Sequence, residues 1–261
     1  MSGQPHKLVL ITGATAGIGK ATAKIFAKHG CNLIITGRRG QRLEELKKRL
    51  QQKYAIDVKT LTYDVQDRKQ VKKAIGSLTG KWKDIDFLIN NAGLALGADE
   101  FDQCSLDDWE VMIDTNVKGL LYMSRMVSPS MVKRGNGYII NVCSTAGHEV
   151  YPTGNVYCAT KHAVDAITKA MRIDLVSKGI RVSQVSPGAV EETDFSLVRH
   201  KGDKEKAKIY EDYNPLTSKD VAKAIYFMAS QPKHVAIHDI VMTGAQQASA
   251  TIFDKSGRSD R

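Results

Sequence analysis

The chain has 261 residues, of which 42% are hydrophobic and 25% are charged, the balance of an ordinary globular protein. It has no run of 18 uncharged apolar residues, so we expect no membrane span, and we expect no secretory signal from its start, MSGQPHK. The net charge of +10 favours anionic ligands, but no recognition motif accompanies it, so nucleic-acid binding is not expected. Four cysteines without C-x-x-C spacing indicate reduced thiols and a cytoplasmic protein.

Apolar runs alternate with helical patterns along most of the chain. Continuous apolar strands covered by helices indicate a parallel sheet buried on both faces. We therefore predict an α/β fold over residues 1–261: a single doubly wound Rossmann-type domain with a seven-stranded parallel sheet, helices on both faces and ligands at the carboxyl ends of the strands. The residues Ser105 with Asp108, and Thr217 with Asp220, are typical helix-capping pairs. The predicted strands are residues 8–13, 32–37, 58–65, 85–93, 137–144, 181–188 and 239–244.

Two segments interrupt this alternation. Residues 189–214 form a connection that is too long for an ordinary turn, and it lies at the expected ligand-binding edge of the sheet. We predict that it is a substrate lid. The polar tail DKSGRSDR, residues 254–261, is predicted to be flexible.

The first strand runs into the glycine-rich stretch TGATAGIGK. Glycines in such a loop allow a tight turn and let the backbone approach a pyrophosphate, which then faces the N-terminus of the following helix. The position of the stretch in the first strand–helix unit therefore predicts a dinucleotide cofactor. The residues expected to bind its phosphates are Gly13, Thr15, Ala16, Gly17, Ile18 and Gly19.

The end of the second strand distinguishes the two nicotinamide cofactors. An NAD site places an acidic residue there for the ribose 2′-hydroxyl, whereas this chain has Arg38 and Arg39, whose guanidinium groups suit a 2′-phosphate. We predict NADP. Asp64 and Val65 after the third strand are expected to bind the adenine. The turn after the fourth strand, Asn91, Ala92 and Gly93, is expected to lie near a ribose.

The stretch VYCATK places Tyr157 and Lys161 four residues apart, on one face of a predicted helix. Such pairs are common on solvated surfaces. A tyrosine hydroxyl has an ordinary pKa of about 10, so it serves as a base near neutral pH only beside a fixed cation. The spacing alone leaves a solvated pair and a proton-transfer pair as alternatives.

Several motifs together resemble the short-chain dehydrogenase/reductase family. They are TGATAGIG, NNAG at 90–93, DTNVKG, the STAG turn, Y-x-x-x-K at 157–161 and PG at 187–188. The resemblance implies that Tyr157 is the catalytic acid/base and that Lys161 lowers the pKa of Tyr157 and holds the nicotinamide ribose. It implies that Ser144 donates a hydrogen bond to the carbonyl oxygen and that Asn116 holds a water linking Lys161 to solvent.

The resemblance extends to the cofactor, the assembly and the substrate. It implies that Pro187, Gly188, Val190 and Thr193 also contact the cofactor, and that the long helices carrying Asn116 and Tyr157 pair into a homotetramer. Within the family, NNAGLALG, DWEVMIDTNVKGL, GNVYCATK and FSLVRHKGDKEKA resemble NADP-dependent 3-hydroxy acid dehydrogenases. These enzymes interconvert L-serine, L-allo-threonine and 3-hydroxypropionate with the corresponding 3-oxo acids or semialdehydes.

A hydroxy acid requires a partner for its carboxylate. We expect Arg199 or Lys201 from the lid to supply it, with Ser144 and Tyr157 at the reacting carbon. The opposite wall is expected to carry Thr153, Asn155 and His148.

Other functions remain open from the sequence. A sulfoacetaldehyde (isethionate) reductase would place a sulfonate where the carboxylate lies, and a 3-oxoacyl reductase is a further alternative in the same family. A non-catalytic NADP(H)-binding sensor is the alternative from another class. No metal site is predicted, because His234 and His238 lie in a strand or loop pattern without accompanying carboxylates. Cys143 and Cys158 flank the catalytic residues, so alkylation is expected to inhibit the enzyme.

Overall fold

The structure, a computed structural model, describes residues 7–207 and 211–258. Parts of the predicted domain, lid and tail (residues 1–6, 208–210 and 259–261) lie outside this range. The strands are β1 (Leu8–Ile11), β2 (Asn32–Gly37), β3 (Val58–Thr62), β4 (Phe87–Asn90), β5 (Gly137–Val142), β6 (Ile180–Pro187), β7 (Val190–Glu191), β8 (Leu216–Thr217) and β9 (Asp239–Met242). The helices are α1 (Gly17–Lys28), α2 (Gly40–Lys53), α3 (Arg68–Gly76), α4 (Leu106–Ile113), α5 (Leu120–Arg134), α6 (Asn155–Leu175), α7 (Phe195–Arg199) and α8 (Ser218–Ser230).

Within these described residues, seven strands form one sheet in the order β3-β2-β1-β4-β5-β6-β9, with every neighbouring pair parallel. The sheet contains all seven predicted strands and confirms the predicted doubly wound α/β fold. The strand order reverses between β1 and β4, and this arrangement leaves a crevice at the carboxyl ends of the strands. The crevice positions the candidate site.

Both faces of the sheet are buried. Val9 and Ile11 of β1 belong to one apolar cluster, which α1, α2 and α8 cover. Leu8 and Leu10 belong to the other cluster, which α3, α5 and α6 cover. Because successive side chains of a strand point to opposite faces, a continuous apolar run is stable only between two helical layers. Burial of each such side chain contributes about 1.5–3 kcal/mol. No helix in the described part of the chain is long and apolar enough to cross a membrane.

The helix caps expected from the sequence are present. Thr217 accepts a hydrogen bond from the backbone N–H of Asp220, while the Asp220 carboxylate accepts one from the Thr217 backbone, so the two residues form a capping box. Ser105 Oγ accepts from the backbone N–H of Asp108 at 3.3 Å. These interactions satisfy N–H groups that have no partner inside their helices.

The predicted lid has structure of its own. Its first residues form β7, which pairs in parallel with β8 in a separate two-stranded sheet, so the two ends of the segment are held together. The short helix α7 lies between them. The described part of the predicted tail packs on the same region, because Gly257 donates to the carbonyl oxygen of Asp212 at 3.0 Å and Arg258 pairs with Glu191 at 2.9 Å.

Candidate active site

A cavity of about 620 Å³ opens at the carboxyl ends of the strands of the large sheet. Six predicted site residues lie outside its lining: Gly19, Asn116, His148, Thr153, Asn155 and Lys201. The predicted residues that line it are Gly13, Thr15, Ala16, Gly17, Ile18, Arg38, Arg39, Asp64, Val65, Asn91, Ala92, Gly93, Ser144, Tyr157, Lys161, Pro187, Gly188, Val190, Thr193 and Arg199.

The glycine-rich loop forms the floor of the cavity beneath the N-terminus of α1. Gly13 has a φ of +67°, and a Cβ atom there would lie 3.0 Å from Cα of Ala92, so the loop requires glycine. A Cβ atom at Gly19 would lie 2.5 Å from the carbonyl oxygen of Gly13. Gly19 thus permits close packing of α1 on the loop rather than contact with a ligand. Because the N-cap residue Ala16 has only a methyl side chain, the first N–H groups of α1 remain available to an anion.

The two predicted phosphate-binding arginines have different partners. Arg39 donates from Nε and Nη2 to Thr15 Oγ1 at 3.1 and 2.6 Å, and its Nη1 lies 2.7 Å from Asp194 Oδ2. Arg38 Nη1 lies 3.6 Å from Asp64 Oδ2. Arg39 is therefore held in a fixed direction over the glycine-rich loop, whereas Arg38 lies against the predicted adenine site.

Tyr157, Lys161 and Ser144 lie together at the other end of the cavity. Ser144 lies two residues after β5, and its side chain acts on the Tyr157 hydroxyl so as to lower the pKa of Tyr157. Lys161 lies one helical turn after Tyr157, with its Nζ 5.8 Å from the Tyr157 ring centroid and 3.0 Å from the carbonyl oxygen of Val142. The helix therefore presents a hydroxyl and an ammonium group on the same face, as their spacing predicts.

Burial governs the protonation of this cluster. Burial of the hydroxyl, followed by the nearby Tyr151, raises the pKa of Tyr157 above its ordinary value, while the hydrogen bond from Ser144 acts in the opposite direction. Burial also lowers the pKa of Lys161. Desolvation is the largest of these effects, and the influence of Lys161 on the pKa of Tyr157 stays a prediction. Tyr157 is protonated and can donate a proton.

Asn116 lies behind this cluster in a π-helical turn, Asp114–Gly119. Its Oδ1 accepts from the backbone N–H of Leu94 at 2.9 Å, and its Nδ2 donates to the Leu94 carbonyl oxygen at 2.8 Å and to Thr160 Oγ1 at 3.0 Å. A Cβ atom at Gly93 would lie 3.2 Å from Asn116 Oδ1 and 3.6 Å from Lys161 Nζ. Asn116 therefore joins the loop after β4 to the helix that carries Tyr157 and Lys161.

Arg199 lines the cavity near Tyr157 and is held by three donated hydrogen bonds. Its Nε donates to the Gly97 carbonyl oxygen at 3.1 Å, its Nη1 to the Tyr151 hydroxyl at 3.0 Å and its Nη2 to the Thr153 carbonyl oxygen at 3.2 Å. A guanidinium group has five N–H donors, so Arg199 retains the capacity to bind an anion in the cavity.

The other predicted substrate residues have partners outside the cavity. Lys201 Nζ pairs with Asp108 at 2.8 Å, Asn155 Nδ2 lies 3.1 Å from Cys104 Sγ, and His148 Nε2 lies 3.1 Å from Ser186 Oγ. None of these three side chains lines the cavity. Thr153 contributes its backbone carbonyl to Arg199 rather than its side chain.

The cavity residues that were not predicted from the sequence include Tyr151, Asp194, Phe195 and Lys255. The Phe195 ring lies against the Tyr157 ring with centroids 5.6 Å apart. The aromatic residues had a weak signal, because both lie within segments that flank predicted site residues. Asp194 and Lys255 had none, since a single charged residue in a polar segment is ordinarily solvated.

Among the described residues, His148, Asp165 and Asp239 have potential metal-ligand atoms within 4.8 Å of one another. The Gln184 amide donates to both carboxylates at 2.8 Å, and Lys169 pairs with Asp165 at 2.6 Å. These contacts account for the cluster as a hydrogen-bonded network that links the Ser144 turn, α6 and β9.

The fold and this site define a class of protein: a dinucleotide-dependent oxidoreductase in which a tyrosine hydroxyl and a lysine share a helix face. The sequence profile of the short chain dehydrogenase family matches residues 7–203. The chain therefore belongs to that family.

Particular relatives are similar over nearly the whole chain. NADP-dependent 3-hydroxy acid dehydrogenase YdfG of Salmonella typhi is 46% identical, covering 93% of this chain and 97% of the relative. Serine 3-dehydrogenase of Agrobacterium fabrum is 42% identical, covering 93% and 95%. The solved closed form of a serine dehydrogenase complexed with NADP⁺ superposes with a TM-score of 0.89 at 44% identity, covering 94% of this chain and 98% of that one.

Proposed function

We propose that this protein is an NADP-dependent 3-hydroxy acid dehydrogenase. It interconverts L-serine, L-allo-threonine or 3-hydroxypropionate with the corresponding 3-oxo acid or semialdehyde. The observation that carries the proposal is that one cavity is lined by Tyr157 and Arg199 and also by Arg39. The names and the similarity of the relatives favour the same substrate class.

The residues present fit an NADP cofactor. The first N–H groups of α1 face the cavity without a side-chain cap, as an anion site requires, and Arg39 is directed over the glycine-rich loop by Thr15. We infer that Arg39 binds the 2′-phosphate, and that Arg38, which pairs with Asp64, lies with Asp64 and Val65 at the adenine pocket. The other predicted cofactor residues that line the cavity would contact the rest of the molecule. When bound, NADP(H) supplies or accepts the hydride.

Proton transfer falls to Tyr157. In reduction, the carbonyl carbon gains a hydride while the carbonyl oxygen takes the Tyr157 proton, and in oxidation both move in the reverse direction. Ser144 donates a hydrogen bond to the same oxygen as negative charge develops on it. The Lys161 ammonium stabilises the tyrosinate that forms. Asn116, whose Oδ1 faces Gly93 together with Lys161, would hold a water through which the proton is replaced from solvent.

The substrate carboxylate would bind Arg199 and the Tyr151 hydroxyl, because these two groups already form a hydrogen bond beside Tyr157. A sulfonate could use the same donors, so sulfoacetaldehyde reduction is the second candidate. The cavity wall formed by Phe195 and Tyr157 is apolar. Reduction of a 3-oxoacyl substrate is therefore a further candidate activity. A sensor without turnover is disfavoured by the buried cluster of Ser144, Tyr157 and Lys161 in one cavity.

Initial rates measured by cofactor absorbance test the proposal. The panel contains L-serine, L-allo-threonine, 3-hydroxypropionate and isethionate, each with NADP⁺ or NAD⁺. A 3-oxoacyl thioester with NADPH is assayed in the opposite direction. Turnover of the hydroxy acids with NADP⁺ is expected. Turnover of isethionate or the thioester alone would replace the substrate class, and NADPH binding without any turnover would favour the sensor.

The carboxylate partner has a sharper test. We expect Arg199→Gln to reduce the preference for L-serine over L-serine methyl ester by about tenfold or more, because one charge-assisted hydrogen bond contributes about 1.5–3 kcal/mol. Lys201→Gln is the matched control, since it removes a lid cation that pairs with Asp108 instead. An unchanged ratio of kcat/KM values in Arg199→Gln would exclude Arg199 as the carboxylate partner.

We also propose a homotetramer and a cytoplasmic location. Ile173 and Val176 at the end of the α6 segment are 74% and 68% exposed, and Leu121 of α5 is 41% exposed. These side chains would be covered by pairing of α5 and α6 between subunits. The molar mass from light scattering should equal four chains, and Ile173→Glu should lower it. All four cysteines are free, which supports a reducing compartment.

A further inference from the structure

A carboxylate from the lid lies on the arginine that would bind the cofactor 2′-phosphate. Asp194 Oδ2 is 2.7 Å from Arg39 Nη1 and 3.3 Å from Arg42 Nη1. Two guanidinium groups therefore converge on a single carboxylate oxygen, although Asp194 and Arg39 are 155 positions apart in the chain. Arg39 and Asp194 both line the cavity.

The residues around Arg39 hold its guanidinium in an orientation that suits an anion. Its Nε and Nη2 groups both donate to Thr15 Oγ1, which fixes the plane of the guanidinium and leaves Nη1 to an anion. Carboxylates and phosphates accept hydrogen bonds from the same guanidinium edges. Asp194 and a 2′-phosphate cannot both occupy this edge, because two anions at contact distance repel each other. The hydrogen bond from Arg39 also lowers the pKa of Asp194, which keeps the carboxylate ionised.

We propose that Asp194 is an internal competitor of the 2′-phosphate. It occupies Arg39 and Arg42 while no 2′-phosphate is present, and it is displaced when NADP(H) binds. Asp194 therefore determines how strongly the enzyme prefers NADP(H) over NAD(H). The inference rests on the 2′-phosphate role that the proposed function gives to Arg39.

Displacement of Asp194 has a consequence at the substrate end. Asp194 is the N-cap residue of α7, the next residue Phe195 packs on Tyr157, and Arg199 ends the same helix. Replacement of Asp194 by a 2′-phosphate at Arg39 would therefore act on α7, the short helix that carries Phe195 and Arg199. NAD(H), which has no 2′-phosphate, would leave the Asp194 contact in place and the helix in its present position.

Binding of small fragments separates this competition from catalysis. Adenosine 2′-monophosphate carries the relevant phosphate, and adenosine 5′-monophosphate is its control; both affinities are measured by calorimetry. Asp194→Asn, which keeps the side-chain shape, should bind adenosine 2′-monophosphate and NADPH several-fold more tightly, with unchanged affinity for adenosine 5′-monophosphate and NADH. Glu192→Gln removes an equal charge from an exposed lid position. It should leave the affinities unchanged both for ligands with a 2′-phosphate and for ligands without one.

Two results would overturn the competition. Weaker NADPH binding by Asp194→Asn would show that Asp194 clamps the bound cofactor instead. Equal gains in NADPH affinity for Asp194→Asn and Glu192→Gln would show only the general electrostatic effect of removing one negative charge.

The role of Arg39 is tested apart from the competition. Arg39→Ala should lose affinity for adenosine 2′-monophosphate, and an unchanged affinity would overturn the 2′-phosphate site of the proposed function. If Arg39→Ala loses affinity while Asp194→Asn is unchanged, the phosphate site stands and the competitor does not. Hydrogen exchange of the α7 amides should rise in the wild-type protein when adenosine 2′-monophosphate binds, and a fall or no change would contradict displacement.

Discussion

The floor of the cavity, formed by the glycine-rich loop and the helix face that carries Tyr157 and Lys161, is built differently from the side of the predicted lid, residues 189–214. On the floor, Tyr157 and Lys161 are only 8% and 7% exposed, and Lys161 is held by a main-chain carbonyl group. On the lid side, the Arg39 and Asp194 side chains are 43% and 45% exposed and hold each other as an ion pair. Burial fixes the proposed catalytic groups, whereas an exposed ion pair holds the groups that we propose select the cofactor. Such exposed pairs contribute little stability and exchange partners readily.

The backbone shows the same difference. Among the described residues, the non-glycine positions with left-handed φ are Thr153, Glu192 and Lys201, at 60°, 59° and 52°. All three belong to segments at the substrate end or in the lid. Side chains disfavour this conformation, and it persists where surrounding contacts impose it. The adjustable side of the cavity therefore carries the strained backbone.

The largest effect should come from the floor. We predict that Tyr157→Phe lowers kcat by about a thousandfold, because it removes the proton donor while keeping the ring against Phe195. The dissociation constant for NADPH, measured by fluorescence titration, should change less than about twofold, since the hydroxyl contributes little to cofactor binding.

Tyr151→Phe is the matched control on the substrate side. It removes the hydroxyl that accepts from Arg199, so we expect a raised KM with most of kcat retained. If Tyr157→Phe kept a large share of kcat, the acid/base assignment and the contrast between floor and lid would both fail.

Asn116→Ala should have the next largest effect. It leaves the N–H and carbonyl groups of Leu94 without their side-chain partners, and each unsatisfied buried group costs about 1–3 kcal/mol. We expect lower stability in urea unfolding and a kcat that falls by roughly a hundredfold through misplacement of the catalytic helix. Thr160→Val removes only one of the three hydrogen bonds of Asn116. It should therefore lose less stability and less kcat than Asn116→Ala. A variant with normal stability and normal kcat would show that the π-helical turn does not position the site.

On the lid side, the two arginines should differ from each other. Arg39→Ala should weaken NADPH binding by about tenfold to a hundredfold and leave NADH nearly unaffected, since a charged hydrogen bond contributes about 1.5–3 kcal/mol. Arg38→Ala should weaken both cofactors by a similar, smaller factor, because Arg38 pairs with Asp64 at the adenine end. Equal losses for NADPH and NADH in Arg39→Ala would show that Arg39 does not bind the 2′-phosphate.

The sequence predicted the floor well and the lid poorly, for a physical reason. The seven strands, the glycine-rich loop and the Tyr157–Lys161 spacing are local signals, in which residues a few positions apart share one element. The contact between Asp194 and Arg39 joins residues 155 positions apart, and nothing in either segment indicates the other. Lys201 has the charge expected of a substrate residue, but it pairs with Asp108 instead. The charge of a long, flexible side chain does not predict which residue it will pair with.

Thiol alkylation should have the smallest effect on activity. It tests whether the buried floor of the cavity is less accessible to solvent than the lid side. Cys143 and Cys158 flank the catalytic residues, yet both are buried, and burial raises the pKa of each thiol above its ordinary value. Because the thiolate is the reactive form, both remain protonated and slow to react near neutral pH, whereas Cys104 is more exposed. We therefore expect iodoacetamide at pH 7.5 to label Cys104, as judged by peptide mass spectrometry, with less than about a twofold loss of activity. Rapid inactivation that tracks with labelling of Cys143, and that NADPH prevents, would show that the floor opens to solvent far more often than its burial indicates.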